Sequence, residues 1–267
     1  MSQTRSEIAE LLQRHGIAPI HRLGQHFLAD GNITRKIVDV AGVGAGSKVV
    51  EVGAGTGTLT RALAATGAIV VTYEIDHGLR PVLDEVTADL DVELRFQDVT
   101  DVDFATALDG DDWSMVANLP YNVGTPVLLD ALQHAPNIER FIVMVQREVA
   151  ERLTATASDA LYGLPSVVVG IYADARVVFT VPPQVFYPPP RVESAVIVLQ
   201  RLTPPRLAPR AVALARAGFG QRRKMLRRSL SGVLEEPARA LEEAGLPATA
   251  RAEDLGPQEW LRLAGSP

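Results

Sequence analysis

The segment Lys48–Leu59, K-V-V-E-V-G-A-G-T-G-T-L, restricts the chain to few architectures. It opens as a short Val-rich strand of the kind buried on both faces. Glycine then falls at alternate positions, Gly53, Gly55 and Gly57, and a helix resumes with Leu59, Ala62 and Leu63 on its inner side. Glycine permits a sharp turn and leaves no Cβ between backbone and ligand. The helix after it turns unpaired N–H groups and a positive dipole end toward the loop. This is the first strand of an α/β sheet ending in a ligand-binding loop. Dinucleotide loops place their third glycine three residues after the second. Here it comes two residues after, and an acid, Glu51, precedes the first glycine by two. The pattern points to a nucleoside-type ligand.

That spacing resembles the S-adenosylmethionine loop of class I methyltransferases. The 267 residues suffice for one large and one small domain, and 47% hydrophobic content supports a sizeable core. There is no cysteine, hence no disulfide framework, Cys-type zinc site or cysteine nucleophile. The five histidines show no i,i+4 pairing, and no metal site is expected. Apolar runs fall far short of a membrane span. The first twenty residues carry Arg5, Glu7, Glu10 and Arg14 and form no signal-peptide core. The expectation is a cytoplasmic protein with no membrane contact. Net charge is −6, yet Val181–Leu230 holds nine arginines and one lysine against Glu193 alone. That block is +9 and leaves −15 elsewhere, an electrostatic footprint for a polyanion unless it is only a solvated face.

Taken in order, Ser6–His15 reads as an amphipathic helix with Ile8, Leu11 and Leu12 inward and Gly16 as its stop. Leu23–Leu28 is too short and polar for a core strand. Asp30 or Asn32 caps a helix ending near Gly42 and Gly44. Further strands are expected over Ala68–Glu74, Val92–Phe96, Trp113–Ala117 and Phe141–Gln146. Glu74, at the tip of the second strand, suits ribose hydroxyls, with Asp76 as a rival. Asp98, on the same rim, can accept from an adenine amino group. The fourth strand ends in Asn118-Leu119-Pro120-Tyr121. Asn118 offers an amide oxygen to an amino group, Pro120 stiffens the turn and frees backbone carbonyls, and Tyr121 gives a base a flat face. Arg176–Val181 and Val192–Leu199 read as an antiparallel pair, joined by a Pro-rich loop that presents Phe186 and Tyr187 at the rim. A Pro-rich linker over 203–209 precedes helices over Ala211–Gly218, Gln221–Leu230, Pro237–Ala244 and Pro257–Leu263.

Seven segments together resemble one family, the small-subunit ribosomal RNA adenine N6-dimethyltransferases. They are G-Q-H-F-L (24–28), E-V-G-A-G-T-G-T-L-T (51–60), E-I-D (74–76), Q-D (97–98), N-L-P-Y-N-V-G-T-P (118–126), the Pro-rich stretch 179–196 and F-G-Q-R-R-K-M-L-R-R-S-L (219–230). The resemblance implies a Rossmann-like class I methyltransferase domain with a seven-stranded, mainly parallel sheet over 1–203. Within it, 1–46 would form N-terminal helices and a cofactor-covering segment, and 204–267 would be a helical RNA-binding domain. It implies S-adenosylmethionine held by His26, Leu28, Gly53, Gly55, Glu74, Asp98 and Asn118. Asn118 Oδ1 and the carbonyl of Leu119 or Pro120 would accept the amine protons, while Tyr121 and Phe186 stack the adenine. Arg222, Arg223, Lys224, Arg227 and Arg228 would contact RNA in a pre-ribosomal 30S particle, and the protein would act as a monomer. Three rivals are a large-subunit adenine methylase conferring macrolide-type resistance, a non-catalytic RNA-binding assembly factor, and a small-molecule methyltransferase, against which the +9 block and the separate helical domain argue. His26 stands where many members carry asparagine. Leu164-Pro165 replaces an Arg-Leu pair, and the proline could shift the start of its helix.

Overall fold

The computed structural model describes residues 3–266. In chain order its regular elements are α1 (Arg5–Arg14), β1 (Phe27–Leu28), α2 (Gly31–Ala41), β2 (Lys48–Val52), α3 (Thr58–Ala64), β3 (Ile69–Glu74), α4 (Arg80–Thr87), β4 (Val92–Phe96), α5 (Phe104–Ala107), β5 (Trp113–Asn118), α6 (Gly124–His134), β6 (Ile138–Gln146) and α7 (Arg147–Leu153). There follow α8 (Leu164–Tyr172), β7 (Ala173–Val181), β8 (Phe186–Tyr187), β9 (Ser194–Arg201), α9 (Ala208–Gly220), α10 (Leu226–Ser229), α11 (Pro237–Glu243) and α12 (Pro257–Gly265). They form two compact units. One is the chain up to Ala150 with Arg176–Gln200; the other is Glu151–Ala175 with the chain from Arg201.

In the first unit seven strands order as β4-β3-β2-β5-β6-β9-β7. The pairs among β4, β3, β2, β5 and β6 are parallel, and β9 runs antiparallel to β6. Parallel strands covered on both faces are near-continuous apolar runs, and Val49, Val50 and Val52 of β2 are all buried, with Glu51 the buried polar exception. Leu28, Ile37, Leu59, Leu63, Val116, Ile142, Phe186 and Val196 share one core cluster. A second cluster holds Ile8, Leu11 and Leu12 of α1 with Phe27, Ala54, Leu79 and Leu83. Strand order reverses between β2 and β5, and the crevice at their C-terminal ends is where such sheets bind ligands. Asp30 is the cap of α2, accepting from Asn32 and Ile33 amides, and Gly42 stops that helix in the left-handed conformation.

The second unit differs from the expected 204–267 because it also takes 151–175. Helix α8 is apolar nearly all round, burying Val167, Val168, Val169, Ile171 and Tyr172, so it needs helices on several sides. Those neighbours include α9 and α12, far along the chain. Pro165 lies in the first turn of α8, where its missing N–H costs nothing, and the helix still begins at Leu164. Trp260 and Tyr162 are buried, and the Tyr162 hydroxyl donates to the Leu255 carbonyl at 2.7 Å.

The basic segment is not the continuous helix expected over 221–230. Helix α9 ends at Gly220, a turn follows in which the Lys224 amide donates to the Gln221 carbonyl, and Met225 is extended. The Leu226 amide donates to the Ala250 carbonyl at 2.8 Å instead of continuing α9, and α10 starts there. Leu226 and Leu230 are buried, and the bases sit on a turn and a single helical turn.

Candidate active site

All three glycines of the loop after β2 are left-handed, with φ of 81° at Gly53, 56° at Gly55 and 79° at Gly57. Side-chain-bearing residues rarely adopt that region. A Cβ on Gly55 would also lie 2.9 Å from Phe27 Cδ1, and one on Gly53 3.3 Å from Pro120 Cγ. Glycine therefore lets the loop close against β1 on one side and the Asn118–Tyr121 turn on the other. The cleft between them is about 990 Å³ including its open mouth. Its walls bring together His26, Leu28, Gly53, Gly55, Glu74, Asp98 and Asn118–Tyr121, all but Phe186 of the residues named for cofactor and amine.

Glu74 is buried at the tip of β3. Its Oε2 accepts from the Gly55 amide and its Oε1 from the Asp76 amide, both at 2.9 Å. Burial raises its pKa, opposed by those two amides. Each oxygen keeps a lone pair for a ligand hydroxyl. Asp76 is tied up by Gln25 Nε2 at 2.7 Å and the Gly78 amide at 2.9 Å. Asp98 accepts from the Thr100 hydroxyl and amide, which hold its carboxyl below the usual range. Ile75, half-exposed between the two acids, lines the same cleft. It gives the cleft an apolar surface that residue type alone did not single out.

Asn118 carries the most specific geometry. Its Nδ2 donates to the His26 carbonyl at 3.2 Å, which fixes the amide's orientation. Its Oδ1 is buried with no hydrogen-bond partner. A buried acceptor left unmade costs about 1–3 kcal/mol, so this oxygen is built to receive a donor that the protein does not supply. The carbonyl of Pro120 is not free, because it accepts from the Val123 and Gly124 amides at the start of α6. Among the described residues the Leu119 carbonyl has no such bond, and it is the backbone acceptor that remains. Tyr121 is half-buried, with its hydroxyl 2.5 Å from Ser194 Oγ. The His26 ring lies beside it, centroids 5.5 Å apart. His26 Nδ1 donates to the Pro188 carbonyl at 2.8 Å, which makes Nε2 the acceptor nitrogen of the neutral ring.

Phe186 does not join this site. It is fully buried in the core and pairs with Leu28 across the short β1–β8 sheet. The two-residue ladder turns it inward, and its neighbour Tyr187 packs half-buried against the α1 cluster. Glu51 lies beneath the loop, buried, with Oε2 accepting from Thr60 Oγ1 at 2.5 Å. Burial pushes its pKa up to about 8, with Thr60 opposing. In the second unit Arg222, Arg223, Lys224, Arg227 and Arg228 are exposed. Arg222 pairs with Glu253 at 3.0 Å; the other four have no ion-pair partner among the described residues.

Seven strands with one antiparallel member at this position, a glycine turn after β2 and carboxylates at the tips of β3 and β4 define a class I methyltransferase. The ribosomal RNA adenine dimethylase family model matches residues 20–266. The ribosomal RNA small subunit methyltransferase A of Phenylobacterium zucineum is 45% identical, over 98% of this chain and 93% of its own length. A dimethyladenosine transferase from Plasmodium falciparum superposes with a TM-score of 0.73 at 23% identity, covering 89% of this chain and 96% of that one. The 23S rRNA methyltransferase ErmE superposes with a TM-score of 0.69 at 26% identity, covering 90% and 98%. The chain belongs to the ribosomal RNA adenine dimethylase family, whose methyl donor is S-adenosylmethionine.

Proposed function

We propose that this chain dimethylates N6 of two adjacent adenines near the 3′ end of small-subunit ribosomal RNA. It would act as a monomer on a pre-ribosomal 30S particle. The carrying observation is the buried, unpartnered Oδ1 of Asn118 opposite the glycine loop. The residues suit the donor: Glu74 keeps lone pairs for ribose hydroxyls, Asp98 has an oxygen for the adenine amine, and the glycines admit a close ligand. S-adenosylmethionine, when bound, supplies an electrophilic methyl group for direct displacement by an amine.

The chain's own task is to make adenine N6 nucleophilic. Its lone pair is delocalised into the ring. Asn118 Oδ1 and the Leu119 carbonyl accept hydrogen bonds from its two N–H groups and favour a more tetrahedral nitrogen; the N–H that becomes acidic once the methyl is bound then gives its proton to solvent water. This is positioning and electrostatic preorganisation, and no strong base is needed. Tyr121, tethered at its hydroxyl, offers the splayed base a face. After the first transfer one N–H remains, and one acceptor is enough for the second. The exposed Arg223, Lys224, Arg227 and Arg228 suit a phosphate backbone. At 45% identity to a small-subunit enzyme, against 26% to ErmE, the small-subunit reading is favoured over the large-subunit one.

The test is methyl transfer to small subunits from a strain lacking the enzyme, with nucleoside analysis of the product. Asn118→Ala should lower transfer by roughly 100-fold or more, the scale of losing one oxyanion-type contact, while cofactor affinity changes far less. Retained dimethyladenosine formation would remove Asn118 from the reaction. Methylation confined to large-subunit RNA would overturn the substrate.

A further inference from the structure

The glycine loop is tied to β3 at its start, where the Gly53 amide donates to the Tyr73 carbonyl and the Gly55 amide to Glu74. Its second half, Thr56 to Thr58, is held by a residue more than fifty positions earlier. Gln3 Nε2 donates to the Thr56 carbonyl at 3.0 Å, and the Thr58 hydroxyl donates to Gln3 Oε1 at 2.8 Å. Both bonds are buried, and Gln3 is 8% exposed. Thr4, next in the chain, caps α1 in a reciprocal box with Glu7 and fixes the direction in which Gln3 enters. Helix α1 then buries Ile8, Leu11 and Leu12 in the cluster that contains Ala54, a loop residue.

We infer that Gln3 is a positioning residue of the cofactor loop: its amide clamps the Thr56–Thr58 turn and so sets affinity for S-adenosylmethionine. The physical reason is entropic and polar together. A turn with three left-handed glycines in five residues has many alternatives when free, and glycine loses the most freedom on ordering. The bond to the Thr56 carbonyl is buried, and the one Gln3 amide supplies both that donor and an acceptor for the Thr58 hydroxyl. Glutamate at position 3 can accept from Thr58 and cannot donate to Thr56. The inference rests on the loop being the cofactor site.

The experiment uses the full chain with Gln3→Ala and Gln3→Glu, and titrates S-adenosylhomocysteine and S-adenosylmethionine calorimetrically. Gln3→Ala should weaken both by about tenfold, the scale of a lost buried hydrogen bond, and Gln3→Glu by at least as much, because its carboxylate would lie buried against the Thr56 carbonyl oxygen. Amide hydrogen exchange should quicken over 54–58 and stay unchanged in β5 and α6. With saturating donor, kcat should remain within about twofold, so that the loss appears in KM. Donor affinity within about twofold of the parent, with unchanged loop exchange, would overturn the inference and leave Gln3 as an anchor of α1 alone. Gly55→Ala separates the two claims. If it too leaves donor affinity intact, the cofactor assignment has failed; if it abolishes binding while Gln3→Ala does not, only the clamp has failed.

Discussion

Replacing Glu51 with glutamine should stabilise the protein in a pH-dependent way. Glu51 is 1% exposed beneath the glycine loop, and its carboxyl titrates near 8 instead of 4.5 because burial penalises the charge. In the unfolded chain it ionises near its ordinary value. Between those two pH values, unfolding releases a proton, so rising pH favours the unfolded state. The neutral carboxyl thus costs nothing below the unfolded value, and its advantage is lost as pH climbs through 4.5 toward 8. A gap of roughly 3.5 pH units at about 1.36 kcal/mol each gives a ceiling of about 5 kcal/mol. Glutamine keeps an acceptor for Thr60 Oγ1 and has no charge to bury. Urea unfolding of parent and Glu51→Gln should therefore agree within about 1 kcal/mol near pH 5 and differ by roughly 3–5 kcal/mol near pH 8, the variant being more stable. A difference that does not change with pH would refute the buried, neutral Glu51.

Phe186 is a core residue, so Phe186→Ala should cost about 3–5 kcal/mol in urea unfolding. Phe186→Leu, by contrast, should keep methyl transfer within a few-fold; a total loss of transfer with normal stability would return it to the adenine. Reversing Arg223 and Lys224 to glutamate should weaken binding to small subunits and lower the slope of log affinity against log salt by at least about 1.4, given about 0.7–0.9 per phosphate contact. Arg222→Ala should change the slope less, because Arg222 already shares its charge with Glu253. Filter binding at several salt concentrations measures both, and an unchanged slope would make the basic turn a solvated face.

Much of the first unit was legible in the chain. Strands β2 through β5 lie within a residue of their expected bounds, because apolar runs of that length ending in glycine or an acid have few alternatives. The tips of those strands carry Glu74, Asp98 and Asn118 to one cleft by the same logic, since parallel strands end on one edge. The two-residue strands β1 and β8 were not legible. Neither has a periodicity, and each exists only because the other is opposite.

The sequence by itself therefore determined the layered fold and the cofactor class and marked the Asn118 turn as the candidate amine site, all of which depend on local period and residue type. Tertiary structure alone decided how those groups are used. It buried Phe186 against Leu28, committed the Pro120 carbonyl to α6, left Asn118 Oδ1 without a partner and set Gln3 under Thr56. It broke the basic helix at Leu226, whose amide bonds to Ala250, and drew 151–175 into the helical unit. Each of these outcomes depends on which distant group satisfies a backbone or side-chain hydrogen bond or covers an apolar face. That partner is fixed only when the whole chain packs.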